Sequence, residues 1–116
     1  MKVAIIGSRG LAVKDFSPYL PKEVTEIVSG GAVGIDRSAR QYAKTHGLKL
    51  TEFLPDYEQH GRKAPLLRNL DIIAYSDLVL AFWDSRSRGT AFVIQKCHEQ
   101  GKPIRIFVTK KEVSFP

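Results

Sequence analysis

The sequence predicts an α/β protein with a doubly wound, Rossmann-like three-layer fold, whose parallel sheet has about five strands in the order 3-2-1-4-5. Short β-branched apolar runs alternate with longer stretches of helical periodicity, as in a parallel sheet covered on both faces. The apolar runs are continuous, as expected for strands buried on both sides. The chain has 116 residues, 43% of them hydrophobic and 26% charged, which suits one domain with one core.

The first half of the chain alternates strand and helix signals. Residues 3–6 form an apolar run that Gly7 ends, and Glu26–Ser29 is a second predicted strand stopped by paired glycines. Residues 11–20 are a weaker candidate for a short helix, because two prolines limit it. A helix is predicted over residues 34–46, since apolar side chains recur on one face and a glycine follows. The residues of that face are Ile35, Ala39, Tyr42 and Ala43.

The second half continues the alternation. A third strand is predicted over residues 48–54, where Leu48, Leu50, Phe53 and Leu54 supply the apolar positions before a proline. Residues 56–63 are polar and predict a loop. A helix follows over 64–76, and the clearest buried strand of the chain lies within 77–83. The face predicted for the 64–76 helix comprises Leu67, Leu70, Ile73 and Ala74.

The chain closes with a helix, a strand and a tail. The helix is predicted over residues 90–100, and Ile104–Val108 is the last predicted strand. The residues expected to touch the sheet from this helix are Phe92, Val93, Lys96 and Cys97. We therefore assign residues 1–109 to one domain and 110–116 to a polar C-terminal tail.

Composition limits the function classes. Lys plus Arg number 18 against 12 for Asp plus Glu, a net charge of +6, which suits an anionic partner such as phosphate, a nucleotide or nucleic acid. Solubility alone is the alternative explanation. The single cysteine, Cys97, permits no internal disulfide and fits the reducing cytoplasm, where we expect the protein. The apolar run at the start is too short for a signal peptide or membrane span.

Three loops rich in glycine, serine and arginine follow predicted strands: residues 7–10, 29–37 and 83–90. Ligands of such sheets bind outside the carboxyl ends of the strands, near the switch point between the first and fourth strands. Glycines let the backbone approach a ligand, helix N-termini present free amides, and arginines bind phosphate oxygens. The loops therefore predict a site for a nucleotide phosphate or phosphoribose. The alternative for each loop is a glycine needed only for the turn.

The loops supply the candidate ligand-binding residues. They are Gly7, Ser8, Arg9, Gly30, Gly31, Gly34, Asp36, Trp83, Asp84, Ser87, Arg88, Gly89 and Thr90. Asp84 is favoured for a ligand hydroxyl, whereas Asp36 suits a ribose hydroxyl, a metal or the dipole of its own helix. Trp83 suits base stacking or a place at the rim. The histidines and the cysteine lack metal-ligand spacing, so no metal site is predicted. G-x-G-x-x-G and P-loop motifs do not occur, which argues against dinucleotide enzymes and P-loop ATPases.

Four motifs, in this order, resemble the SLOG superfamily, which joins the Rossmann-like domain of the DNA-processing protein DprA (Smf) with the Lonely Guy phosphoribohydrolases. The motifs are Gly7-Ser8-Arg9, residues 29–36, Arg68-Asn69 and residues 87–90. The small, single-domain YspA-type members are the most similar, from Lys2 to about Val108. The resemblance implies a pocket made by these loops, adds Arg68 and Asn69 at its edge, and implies a homodimer. For Arg68, a solvated helix face is the alternative.

The resemblance and the loops leave three functions open. The first is binding or sensing of a nucleotide or phosphoribose ligand without strong catalysis. In this function the amides of Gly30-Gly31 and of residues 87–90 hold the phosphate, and Arg9 and Arg88 neutralise its charge. The second is a nucleoside monophosphate phosphoribohydrolase. Its transition state needs a carboxylate, yet Val93 stands where Lonely Guy enzymes carry their glutamate. Asp36 and Asp84 are then the catalytic candidates. No cofactor is predicted beyond the ligand itself.

The third function is single-stranded nucleic-acid binding, which the DprA-like stretches and the positive charge favour. It would need a basic groove with aromatic side chains for base stacking. Trp83 and Tyr57 are the stacking candidates. The basic candidates are Arg9, Arg37, Arg62, Lys63, Arg68, Arg86 and Arg88.

Overall fold

Five parallel strands form the central sheet of the computed structural model, which describes residues 1–108. The strands are β1 (Lys2–Gly7), β2 (Glu26–Ser29), β3 (Lys49–Glu52), β4 (Leu78–Trp83) and β5 (Ile104–Val108). The helices are α1 (Ile35–Thr45), the single turn α2 (Tyr57–His60), α3 (Ala64–Tyr75) and α4 (Arg88–Gln100), with a 3₁₀ turn at Gly61–Lys63. The strand order β3-β2-β1-β4-β5 confirms the predicted sheet. The predicted tail over 110–116 lies outside the described residues.

Two apolar clusters, one on each face of the sheet, give the three layers. Alternate residues of β1 divide between them: Val3 and Ile5 pack with α1, whereas Ala4 and Ile6 pack with α3 and α4. This division explains why the strands read as continuous apolar runs. The predicted face of α1 is confirmed, since all four of its residues are buried. Among residues 1–108, no helix is both long and apolar enough to cross a bilayer.

The helix predicted over residues 11–20 is wrong. This segment runs without helix and ends in a turn, because Pro18 and Pro21 cannot supply the amides a helix needs and the Asp15 carboxylate accepts the Ser17 amide at 2.9 Å. Phe16 fixes the segment instead. Its ring is fully buried and makes edge-to-face contacts with two rings of the α1-side cluster, Tyr42 and Phe82.

Three local predictions also need correction. Residues 57–63 form helical turns where a loop is predicted, because the Asp56 side chain accepts the Gln59 amide at 3.1 Å and caps the first of them. The third strand ends at Glu52, and Leu54 beyond it is 67% exposed. α3 packs against α4 as well as the sheet, so its buried face includes Ile72 while Ala74 is exposed.

The last helix contacts the sheet through fewer residues than predicted. Val93 and Cys97 of α4 are buried in the α3–α4 cluster, which confirms Cys97 as a packing residue. Phe92 and Lys96 lie at the edge of this contact and are only half-buried. The Lys96 ammonium lies 5.6 Å from the centre of the Phe92 ring. In this position the lysine covers an aromatic face while its charge stays in water.

A buried carboxylate joins three elements at the edge of the sheet opposite the glycine loops. Glu26, only 7% exposed, accepts hydrogen bonds from the Tyr75 hydroxyl at 2.6 Å and the Thr51 hydroxyl at 2.7 Å. Lys49 lies 3.6 Å from its other oxygen. Burial raises the pKa of Glu26, but the two hydrogen bonds and the nearby lysines outweigh burial and hold the pKa below its usual value.

We expect Glu26→Gln to destabilise the protein at pH 7 and to have a smaller effect at pH 3. A carboxylate whose pKa is lowered by folding adds stability above its unfolded pKa, and that stability is lost as the pH falls through the folded pKa. The measurement is urea unfolding of wild type and variant at both pH values. Glu23→Gln, at an exposed position, is the control. An equal deficit at pH 7 and pH 3 would contradict the assignment.

Candidate functional site

A cleft of about 420 Å³ opens at the carboxyl edge of the sheet, on the side covered by α3 and α4. Its walls come from the loops after β1, β2 and β4, from the first turn of α1, and from the first two or three turns of α3 and α4. The register of β1 with β4, which pairs Gly7 with Phe82, places the first and third of these loops side by side. The volume is in the range of small-molecule sites, and the position is the switch point of a doubly wound sheet.

Ten of the fifteen residues predicted to bind a ligand line this cleft. They are Gly7, Arg9, Gly30, Asp36, Arg68, Asn69, Asp84, Ser87, Gly89 and Thr90. The structure thus brings the three glycine-containing loops and the Arg68-Asn69 pair to one place, as the strand-end rule requires. Their contacts with a ligand stay a prediction.

The other five predicted residues lie behind or beside the cleft. Ser8 is buried, where its hydroxyl accepts the Asp84 amide at 3.2 Å and its own amide donates to the Phe82 carbonyl at 3.0 Å. Ser8 therefore ties the β1 loop to the β4 loop. The indole of Trp83 donates to the Ser87 carbonyl at 3.0 Å. The remaining residues outside the cleft lining are Gly31, Gly34 and Arg88.

Arg68 is part of the site rather than a solvated surface residue. Its Nη1 donates to the Gly30 carbonyl at 2.6 Å and to the Phe53 carbonyl at 3.2 Å, and its Nε donates to the Asn69 side-chain oxygen at 2.9 Å. A Cβ at Gly30 would lie 2.5 Å from Nη1 of Arg68 and 3.0 Å from the Asp36 carboxylate, so any larger residue there would displace the guanidinium from this position. The guanidinium is thus held at the end of β2, facing the cleft.

Asp36 and Arg68 form the electrostatic centre of the cleft. Burial raises the pKa of Asp36, and the Ala32 amide at 3.1 Å together with the charge of Arg68 partly offsets this. Burial likewise lowers the pKa of Arg68; the charge of Asp36 opposes that shift and the charge of Arg9 adds to it. Asp36 therefore faces the charge of Arg68, and Arg68 also faces the like charge of Arg9, so two guanidinium groups repel each other in one cleft.

Asp84 organises the loop between β4 and α4. Its Oδ1 accepts the amides of Arg86 and Ser87, both at 2.8 Å, and these two hydrogen bonds are the main reason why the pKa of Asp84 lies below its usual value. Ser85 within this turn has a φ of 71°. The carboxylate is thus charged at neutral pH and fixed beside the cleft.

The amides of this loop are partly occupied by the protein itself. Ser87 caps α4, and its side-chain oxygen accepts the Thr90 amide at 3.3 Å. The Ser87 amide is taken by Asp84. Within residues 1–108, only the Arg88 and Gly89 amides of residues 87–90 make no hydrogen bond. The amide cradle predicted over 87–90 is therefore reduced to these two groups at the helix N-terminus.

The sequence does not assign several cleft residues to a site. Pro65 and Leu66 belong to the first turn of α3, and Val93, predicted only as a packing residue of the last helix, is 1% exposed and also lines the cleft. The Arg68-Asn69 motif indicates that α3 contributes to the cleft, but it carries no signal for Pro65 and Leu66. No group of three or more possible metal ligands occurs in the described part of the chain.

Comparison with known proteins shows a similarity to a phage protein. The chain is 37% identical over 90 residues to the Gene 61 protein of Mycobacterium phage D29, and the matched region covers 72% of each protein. No family model matches the chain. No solved structure matches it either.

Proposed function

We propose that the chain, which belongs to the same family as the Gene 61 protein of Mycobacterium phage D29, binds the phosphate and ribose of a nucleotide-like ligand in this cleft. The observation that carries the proposal is that the guanidinium groups of Arg9 and Arg68 border the same cleft, close enough for the charge of Arg9 to lower the pKa of Arg68. An anion between the two arginines would relieve their mutual repulsion.

Arg9 and the start of α4 are the proposed phosphate contacts. Arg9 is exposed at the cleft, so its guanidinium is accessible to a phosphate, which it can bind through two parallel hydrogen bonds. Gly89 borders the cleft with an amide that makes no hydrogen bond in residues 1–108. The N-terminus of α4 adds a favourable dipole for a negative charge.

Asp84 is the proposed ribose contact. A carboxylate accepts hydrogen bonds from sugar hydroxyls, and Asp84 is charged and fixed at the cleft by two loop amides. Asp36 suits this role less well, because it is buried and its carboxylate already accepts the Ala32 amide. Both carboxylates thus hold loops in place, and Val93 fills the position of the Lonely Guy glutamate. These features favour binding over N-glycosidic cleavage, within the SLOG-like scaffold that the four motifs suggest.

We expect Arg9→Ala to weaken binding of ribose 5-phosphate about tenfold or more, because a charge-assisted bidentate contact is lost. The measurement is titration calorimetry at low ionic strength. Arg105→Ala, which removes the same charge from the exposed strand β5, is the control and should bind as wild type does.

The proposal fails if wild-type protein binds neither ribose 5-phosphate nor nucleoside monophosphates, or if binding is the same in Arg9→Ala. An oligonucleotide titrated in parallel tests the alternative function, single-stranded nucleic-acid binding. Tight binding of the oligonucleotide alone, falling steeply with salt, would indicate a single-stranded nucleic-acid protein instead.

A further inference from the structure

Two large apolar side chains in the lining of the cleft are exposed. Val33 is 49% exposed and Leu66 is 39% exposed, and both contribute to the cleft wall. Val33 comes from the loop before α1, and Leu66 comes from the first turn of α3. Single exposed apolar residues are ordinary on protein surfaces. Two in the same concave site as a pair of arginines indicate a ligand with an apolar part beside its charged part.

Asn69 presents a donor to the same cleft. Its side-chain oxygen accepts Nε of Arg68 at 2.9 Å, and since Nε is always a donor, this contact fixes which end of the amide is the oxygen. The Nδ2 group makes no hydrogen bond within residues 1–108. Asn69 lies one turn from Leu66 on α3 and also lines the cleft. The α3 wall thus combines an apolar surface with two N–H donors.

We propose that Val33 and Leu66 seat the base of a nucleotide and that the Asn69 amide donates to an acceptor atom of that base, an inference that rests on the proposed function. A sugar phosphate would use Arg9, Arg68 and Asp84 but would leave this wall in water. A nucleobase has two flat apolar faces and an edge with ring-nitrogen or carbonyl acceptors. It therefore matches both the apolar side chains and the donor.

This arrangement also predicts how selective the site is. The wall offers contact area and donors only, and every common base carries acceptor atoms. The residues Val33, Leu66 and Asn69 should therefore distinguish ligands that have a base from those that have none, more strongly than they distinguish one base from another. The four nucleoside monophosphates should bind within about tenfold of one another.

The experiment compares ribose 5-phosphate with the four nucleoside 5′-monophosphates by calorimetry. Wild type should bind the monophosphates about tenfold or more tightly than ribose 5-phosphate, because apolar area is buried with the base. Leu66→Ser and Val33→Ser should each lose about fivefold to tenfold in monophosphate affinity and keep ribose 5-phosphate affinity within about twofold. Leu54→Ser, at a more exposed leucine outside the cleft lining, is the matched control.

Asn69→Ala tests the donor. It should weaken monophosphate binding severalfold, while ribose 5-phosphate affinity reports whether Arg68 has stayed in place on the Gly30 and Phe53 carbonyls. Equal wild-type affinity for ribose 5-phosphate and the monophosphates would overturn this inference and leave the phosphate site standing. A wild-type preference for monophosphates that persists unchanged in Leu66→Ser and Val33→Ser would also overturn it. Failure of both ligand classes to bind would overturn the proposed function itself.

Discussion

Gly34→Ala is expected to destabilise the protein by about 3 kcal/mol or more, through two effects that add. Gly34 is the N-cap of α1 and has a φ of +73°, where a Cβ costs roughly 1–2 kcal/mol. That Cβ would also overlap the backbone of Arg9, which crosses directly over Gly34. Backbone cannot move aside as a flexible side chain can, so the loop after β1 must shift. Urea unfolding at pH 7 measures the loss.

Two other glycines separate the effects of conformation and space. Gly47 has a φ of +66° but nothing within 4 Å of an added Cβ, so Gly47→Ala should show only the conformational loss of about 1–2 kcal/mol. Gly10 has neither a positive φ nor a neighbour within 4 Å, and Gly10→Ala should change stability by less than about 0.5 kcal/mol. If Gly34→Ala proves no worse than Gly47→Ala, the close approach of the Arg9 backbone is not a constraint.

The sheet was predictable because its determinants are local. The continuous apolar runs of β1 and β4 are readable in the sequence, and right-handed crossovers then leave few arrangements of parallel strands. The position of the loops follows from the same rule, since the carboxyl ends of parallel strands share an edge. The cleft beside Gly7 and Gly30 was therefore predictable in outline before any side chain was placed.

The structure departs from prediction where contacts between distant segments determine which residues are buried and where an element ends. Phe16 is buried by rings from α1 and β4, and no periodicity in residues 11–20 carries that information. The sequence pattern places Leu54 in the third strand, but β3 is an edge strand that ends two residues earlier. Ala74 is exposed and Ile72 buried because α3 contacts both a sheet and a helix, which widens its buried face beyond one stripe.

The site residues show the same limit. Arg68 looks like a helix-surface arginine in the sequence, since its partners, the carbonyls of Gly30 and Phe53, lie 38 and 15 residues away. The sequence predicts that Asp84 and Ser87 contact a ligand. In the structure the Asp84 carboxylate accepts the Ser87 amide, and the Ser87 hydroxyl accepts the Thr90 amide. Residue type and position therefore predict which groups gather at the edge. Which of these donors the protein itself uses depends on hydrogen bonds between distant segments, which the sequence does not reveal.

Arg68→Met should destabilise the protein by about 2–4 kcal/mol, because it removes a half-buried guanidinium that serves two backbone carbonyls and the Asn69 side chain. It also leaves Asp36 buried without its nearest positive charge. The matched control is Arg40→Met, which breaks the more exposed ion pair with Glu52 at 2.9 Å and should lose no more than about 1 kcal/mol. Equal losses in the two variants would show that Arg68 is an ordinary surface residue.

The pH dependence separates the loss of the carbonyl contacts from the loss of the charge. Burial raises the pKa of Asp36 above 3.8 and Arg68 opposes this shift, so Arg68→Met raises the pKa of Asp36 further. An acid whose pKa is raised by folding binds more protons in the native state, and stability therefore rises as the pH falls through the folded pKa. The stability deficit of Arg68→Met relative to wild type should accordingly shrink between pH 7 and pH 4.5.

In an Asp36→Asn background the stability deficit caused by Arg68→Met should not change with pH. The part that persists there measures the carbonyl contacts of Gly30 and Phe53, and the same pH response in both backgrounds would mean that the charge of Asp36 plays no part.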